Sequence, residues 1–372
     1  MMRTSVEIGY AKPEEEGSLR QILRQSPMPG WVTLTYEREP NINWAGEVEG
    51  HKHQFGVART GKNGPTVGFF GRSVRNVLLN QKVEQMGYLS QLRFDPSFRY
   101  RLSALRKGYA FWRDHIRKAD ELPYDLTSIL VDNEPARRLL ESDAPGFPVY
   151  LPWKQYSTII IRSSRRKSLG QALVKRSNLE TLPKIISFIQ STYKDYALAP
   201  YVSEEDVNSD VRTRGLSPSD FLYFEEGGEI LGCLGLWNQN AFKQSIVQGY
   251  RPPLGIFRSA VNMVGPLFGW PRLPTVGQPI DQAFLAFCAI KNGLEKEILP
   301  SLISAAREEA GRLGLTVVLG GWVEGEAALS IVRDTFMTME YKSILYFVHW
   351  PEDKIESVLP SQGKIHVELA TL

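Results

Sequence analysis

The chain repeats its own plan, and that duplication restricts the architecture more than any other feature. Gly68-Phe-Phe-Gly71, within Thr-Val-Gly-Phe-Phe-Gly, has a counterpart in Gly232-Cys-Leu-Gly235, within Ile-Leu-Gly-Cys-Leu-Gly. The order of elements around the two then recurs. Short β-branched runs bounded by turn residues read as strands, and apolar residues at three- and four-residue spacing read as helices. By these periods the first half holds strands at 66–72 and 88–94, a basic loop and helix at 96–118, a strand at 126–131, a helix at 134–142 and a strand at 156–161. The second half holds strands at 230–237 and 283–289, a helix at 297–313, a strand at 315–319, a helix at 325–333 and a strand at 343–348. An insertion at 252–280 widens the spacing between matching elements after the second strand. At 372 residues the chain exceeds what one core supports, and its 42% hydrophobic residues can fill two. The expected domains are 1–161 and 178–372, joined by a linker at 162–177. Residues 162–176 carry six basic residues and no acid, a pattern that reads as a solvated bridge or, less simply, as a contact for nucleic acid.

Residues 92–104, Leu-Arg-Phe-Asp-Pro-Ser-Phe-Arg-Tyr-Arg-Leu-Ser-Ala, read as a buried strand, a Pro-marked turn and a basic loop opening a helix over 102–118. Free backbone N–H groups and the positive end of a helix dipole then converge on one point, a receptor for a pyrophosphate. Between 96 and 118 stand Arg99, Arg101, Arg106, Lys107, Arg113, Arg117 and Lys118 against the single acid Asp114. The whole chain is nearly balanced, with 44 basic and 41 acidic residues, so this charge is local. A pI of about 8.7 is too mild for a nucleic-acid-binding surface, which normally exceeds about 9.

The two cysteines, Cys233 and Cys288, sit in apolar strand-like runs and read as inert small hydrophobes of a reducing compartment, so the expected location is cytoplasmic. The N-terminus shows no apolar segment of signal-peptide length, and no uninterrupted apolar run reaches membrane-span length. The nearest approach, 252–271, is broken by prolines and by Arg258, and reads as a hydrophobic lid over a pocket or as packing between domains. His51-Lys-His53 lacks a third ligand, so no metal is expected, and the two histidines read as exposed loop residues. Gly61-Lys62 lacks the spaced glycines of a nucleotide loop and reads as a hairpin turn. The aromatic stretch 193–201 reads as core packing or as a pocket wall.

The strand, the basic loop, the long helix, the next strand and then Asn133-Glu-Pro-Ala136-Arg-Arg-Leu139-Leu140 with its Gly-Phe turn resemble the GNAT superfamily of N-acetyltransferases. The resemblance covers about residues 5–161 and, more faintly, 178–349. It implies an α/β (α+β) fold of two tandem acyl-CoA N-acyltransferase-like domains, each a mixed, mostly antiparallel central sheet flanked by helices. It also implies acetyl-CoA as co-substrate, lying between two splayed parallel strands. The family's loop, Arg/Gln-x-x-Gly-x-Gly/Ala, places Arg99 first and Ala104 last, with Leu102 where a glycine is expected. By this resemblance Leu92, Arg93 and Phe94 supply the strand edge to the pantetheine. Arg99, Tyr100, Arg101, Leu102, Ser103 and Ala104 supply the phosphate loop, and Asn133 lies near the cofactor's far arm. Asn133 before Glu134-Pro135 also reads as a helix N-cap. In the second half the corresponding loop and helix balance four basic residues against four glutamates, so one cofactor site per chain is expected, in the first half.

Acetyl transfer to an amine needs a neutral amine, an oxyanion donor and an acid for the departing thiolate. In the family a tyrosine on the helix after the asparagine often supplies that acid; here the position is Leu140. Tyr88 and Ser90 are the candidate acids and Glu84 the candidate base, each with a structural reading beside it. The expected function is N-acetyl transfer to a primary amine of a small molecule or peptide, with a homodimer as the possible assembly. The alternatives are a non-catalytic acyl-CoA-binding module, suggested by Leu140 and Leu102, and an aminoacyl-tRNA-dependent transferase, suggested by the basic 162–176 segment.

Overall fold

The computed structural model describes residues 6–98, 102–142, 144–165, 173–360 and 363–372. The first half runs β1 (Val6–Tyr10), α1 (Glu16–Arg24), β2 (Val32–Glu37), α2 (Ile42–Glu49), β3 (Lys52–Thr60), β4 (Thr66–Leu79), β5 (Lys82–Phe94), α3 (Leu102–Phe111), β6 (Asp125–Leu130), α4 (Glu134–Leu140) and β7 (Val149–Arg162). The second half opens with β8 (Val174–Arg176), α5 (Leu182–Tyr193), β9 (Tyr196–Ala197), α6 (Glu204–Val207), β10 (Phe221–Glu226), β11 (Glu229–Trp237), β12 (Gln244–Tyr250) and α7 (Arg258–Val264). It closes with β13 (Gln282–Ile290), α8 (Glu295–Arg312), β14 (Val317–Val323), α9 (Ala327–Thr335), β15 (Thr338–His349) and β16 (Lys364–Ile365).

Twelve strands form one sheet in the order β1-β3-β4-β5-β6-β15-β7-β14-β13-β11-β10-β8. Within it only β5–β6 and β13–β14 run parallel; the other pairs are antiparallel, and helices cover the faces. The last strand of each half is exchanged. β7, rich in β-branched residues over Ser157–Ile161, pairs with β14 of the second half, while β15 pairs with β6 of the first. β15 and β7 lie side by side over 338–349, the longest seam between the halves. Inside the basic 162–177 segment, residues 174–176 form β8 at the sheet edge, against β10.

The repeated Gly-x-x-Gly motif has a structural reason. In both halves it lies on the strand facing a β-bulge: the register slips between Phe69 and Gly71 opposite β5, and between Cys233 and Gly235 opposite β13. The bulged strands each carry one non-glycine residue in the left-handed region, Gln91 (φ 57°) and Phe287 (φ 52°). A Cβ at Gly68 would strike the Phe94 ring, and one at Gly232 would strike Ile298.

Several elements depart from the periodic reading. The helix after the basic loop ends at Phe111 and continues as a π turn over Trp112–Ile116. β14 extends through Gly320-Gly321, where glycines would be expected to end a strand, because their missing side chains leave room for Trp322 and Tyr156 to cross. His53 is not a loop residue but a half-buried member of β3, bonded to Ser73 at 2.7 Å, and His51 bonds Asn76 at 2.9 Å. Packing between domains does not account for the 252–271 insertion: Ile256, Phe257, Met263, Phe268 and Trp270 are exposed, and Leu267 is 83% exposed.

Candidate functional site

β5 and β6 pair in parallel only at Gly87–Asp125 and Tyr88–Leu126, then part. A buried ion cluster fixes the point of divergence. Arg72, on β4, reaches across β5 to grip both oxygens of the Asp125 carboxylate at 2.7 and 2.8 Å, and donates to Glu121 at 2.7 Å. It can cross because Gly87 has no side chain; a Cβ there would collide with Asp125 and Arg72. Burial alone would lower the Arg72 pKa, but Asp125 and then Glu121 outweigh it and raise it. Just beyond, Thr127 donates to the Leu89 carbonyl at 2.8 Å, bridging the opening wedge.

A cavity of about 370 Å³ occupies this wedge and runs on toward the second half. That is within the ~300–1,000 Å³ usual for ligand sites. Its walls include residues 88–94 of β5, 127–130 of β6, and Ala104, Leu105 and Gly108 of α3. Farther in lie Leu23, Met28, Leu34 and Phe69, and on the side of the second half Lys243, Ser245, Gln282 and Tyr341. Gln91, at the bulge, lines the cavity with both amide atoms buried and lacking a hydrogen-bond partner.

Of the residues expected from the sequence, Tyr88, Ser90, Leu92, Arg93, Phe94, Ala104 and Asn133 stand on the cavity wall. Asn133 also caps α4, accepting from the Ala136 N–H at 3.4 Å, so its two readings coexist. The Arg93 guanidinium turns back to the Leu92 carbonyl (2.9 Å) and Met28 sulfur (3.3 Å), leaving its main chain to form the strand edge. Ser103 is exposed in the first turn of α3, and Leu102, 45% exposed, is not on the cavity wall. Glu84 lies four residues before Tyr88 on β5 and is not on the wall. Arg99, Tyr100 and Arg101 lie outside the described residues. Leu140 is buried on the cavity wall, where the resembled family carries its tyrosine.

Three charged wall residues were missed: Arg38, Glu49 and Lys243, which are 9%, 1% and 7% exposed. Glu49 follows Ile42 and Ala45 at helical spacings of seven and four, so it rides the buried face of α2, a signal visible in the sequence. Arg38 and Lys243 carry no such mark, because each follows or precedes a strand whose position depends on the other half. Ser90 donates to Glu49 at 3.3 Å, and Lys243 lies 3.7 Å from the same carboxylate. Burial pushes the Glu49 pKa up, but Lys243, then Arg38, outweigh it, so the carboxylate stays ionised. Burial lowers the Lys243 ammonium to about 8 against the pull of Glu49. Burial also raises the Tyr88 phenol, which therefore keeps its proton at neutral pH; it stands 3.3 Å from Ser128.

The second wedge is filled. β13 and β14 pair over Gln282–Phe284 and Val317–Leu319, and the Trp322 indole then folds over Gly320 against Leu285. Among the described residues no group of three His, Cys, Asp or Glu side chains is placed to hold a metal ion. No described helix is long and apolar enough to cross a membrane.

The chain superposes over nearly its whole length on solved structures. A structure of Saccharomyces cerevisiae N-myristoyltransferase with bound myristoyl-CoA superposes with a TM-score of 0.62 at 10% identity, covering 99% of this chain and 90% of that one. Another, with bound myristoyl-CoA and inhibitors, gives 0.61 at 11% identity, covering 99% of this chain and 88% of that one. The fold is that of a tandem acyl-CoA N-acyltransferase. No protein-family model matches the sequence, and no curated protein matches it. The likeness is thus one of fold, at 10–11% identity.

Proposed function

We propose that the protein is an N-acyltransferase that moves an acyl group from acyl-CoA to a primary amine by direct attack. The observation that carries this reading is the cavity, which begins in the wedge between β5 and β6 and continues to buried polar groups. Residues 89–94 have no strand partner on the β6 side, so apart from the Leu89 carbonyl, bonded by Thr127, and the Leu92 carbonyl, bonded by the Arg93 side chain, their main chain would pair with the amides of an extended pantetheine arm. The α3 N-terminus and the Arg99–Ala104 segment would receive the pyrophosphate. Acetyl-CoA, the donor expected from the sequence, is the smallest acyl-CoA such a site would take. The wall formed by Leu23, Met28, Leu34 and Phe69 favours a longer, apolar chain.

The chemistry then follows from the side chains. The amine nitrogen attacks the thioester carbon; a C–N bond forms, the C–S bond breaks, and CoA leaves as the thiol. Main-chain N–H groups at the bulge would stabilise the oxyanion. Tyr88, protonated and buried, gives its proton to the departing sulfur, and Glu49 takes up the proton the amine loses. Thiol release should be measured across acyl-CoA donors from two to sixteen carbons with an amine panel; longer donors should be preferred. Tyr88→Phe should lower kcat by about 10²-fold while acyl-CoA binding persists. Binding without turnover across the whole panel would leave a non-catalytic acyl-CoA module instead.

A further inference from the structure

The charged residues on the cavity wall do not balance. Among the described residues the wall carries the side chains of Arg38, Arg93 and Lys243 against one side-chain carboxylate, Glu49. Arg38 is the least satisfied of them. Its Nη1 donates to the Glu37 carbonyl at 2.8 Å, while its Nε is buried with no hydrogen-bond partner. Burial lowers its pKa, and the strongest opposing influence is Glu49. Lys243 is tethered nearby, with its Nζ donating to the Ala370 carbonyl at 3.4 Å and to the main-chain oxygen of Leu372 at 3.3 Å. A buried guanidinium short of partners is costly, and an anion arriving with the ligand removes that cost.

The phosphates of the donor are not that anion. Glu49 is reached from Ser90, and four residues of β5 separate Ser90 from Phe94, where the chain turns toward α3. At ~3.3 Å per residue that is about 13 Å from the phosphate loop. The cationic cluster instead lies beside the bulge, where the thioester and the attacking amine meet. An acceptor that brings a negative charge within two or three bonds of its amine fits this placement.

We propose that the acceptor is a free amino acid, its carboxylate held by Arg38 and Lys243 and its amine set beside Glu49. This rests on the N-acyltransferase reading and narrows it. A peptide N-terminus, whose first residue ends in a neutral amide, would leave Arg38 without its anion.

The test compares free amino acids with their carboxamides as acceptors for the full-length protein, by thiol release. It also compares N-dodecanoylglycine with N-dodecanoylglycinamide as ligands, by calorimetry. The carboxylate forms should be favoured at least about tenfold in kcat/KM and in affinity. Arg38→Gln should bring both ratios near one, chiefly through KM, and Arg38→Lys should restore part of the preference. Carboxamides that react and bind as well as the acids would overturn the proposal while N-acyl transfer stood. If no amine reacts, the N-acyltransferase reading fails, and the acid-to-amide binding ratio in the unsubstituted protein still decides whether the site selects a carboxylate.

Discussion

His53 shows how burial turns one residue into a pH sensor for stability. Its ring packs edge-on against Phe55 with centroids 4.3 Å apart, bonds Ser73 through Nδ1, and leaves Nε2 buried without a partner. Burial lowers its pKa from the ordinary 6.5 to about 4, with Glu49 opposing. The unfolded chain therefore binds the proton more readily than the folded one between these values, and stability falls as pH drops from 6.5 to 4. At about 1.4 kcal/mol per pH unit, the loss approaches 3 kcal/mol. Urea unfolding at pH 7 and pH 4.5 should show this loss in the native protein and a much flatter response in His53→Gln. Glu15 and Glu324, both held near 2, act in a separate window below the carboxylate range. The same burial hid the functional residues from the sequence. Tyr88 and Ser90 were legible as wall residues because they lie on a recognisable strand before the basic loop, and Glu49, though missed, would have been legible from its helical phase. Arg38 and Lys243 were not, since nothing local distinguishes a basic residue that ends in a cavity from one that ends in water.

At the scale of elements, two copies of one strand–bulge–strand unit have opposite fates. The first keeps an open wedge, clamped at its base by Arg72, Asp125 and Glu121. The second is closed by the Trp322 indole, buried with Leu285, Ile298 and Leu329. Trp322→Ala should cost about 3–5 kcal/mol of stability in denaturant unfolding. It should leave acyl-CoA stoichiometry at one per chain by calorimetry, because Glu295 and Glu297 in the first turn of α8 still stand where a pyrophosphate would sit; a second bound equivalent would show that the indole alone closes the site. The sequence made the duplication and nearly every element in it visible, since β-branched runs such as Thr158–Ile161 and the apolar stripe of α8 carry their periods openly. It did not reveal which wedge was open by shape, because that depends on Trp322 lying over a glycine two positions away. Nor did it reveal the strand exchange, because β7 and β15 have the same pattern whichever β6 or β14 they join.

For the molecule as a whole, exchange of β7 and β15 makes two copies into one sheet. Neither half can leave without stripping a strand from the other, and cores on both sides of the seam share its residues, among them Tyr156, Leu345 and Phe347. Unfolding in urea should therefore be one cooperative transition, coincident by far-UV circular dichroism and tryptophan fluorescence; two separated transitions would show that the halves are energetically independent. The exchange also sets an order of events during synthesis. Until residues 338–349 have left the ribosome, β6 has a bare outer edge, and Tyr341 and Ser343 are missing from the chamber they help enclose. The first copy, translated early, must wait for the last long strand of the second before its chamber closes, so competence waits on residues 338–349.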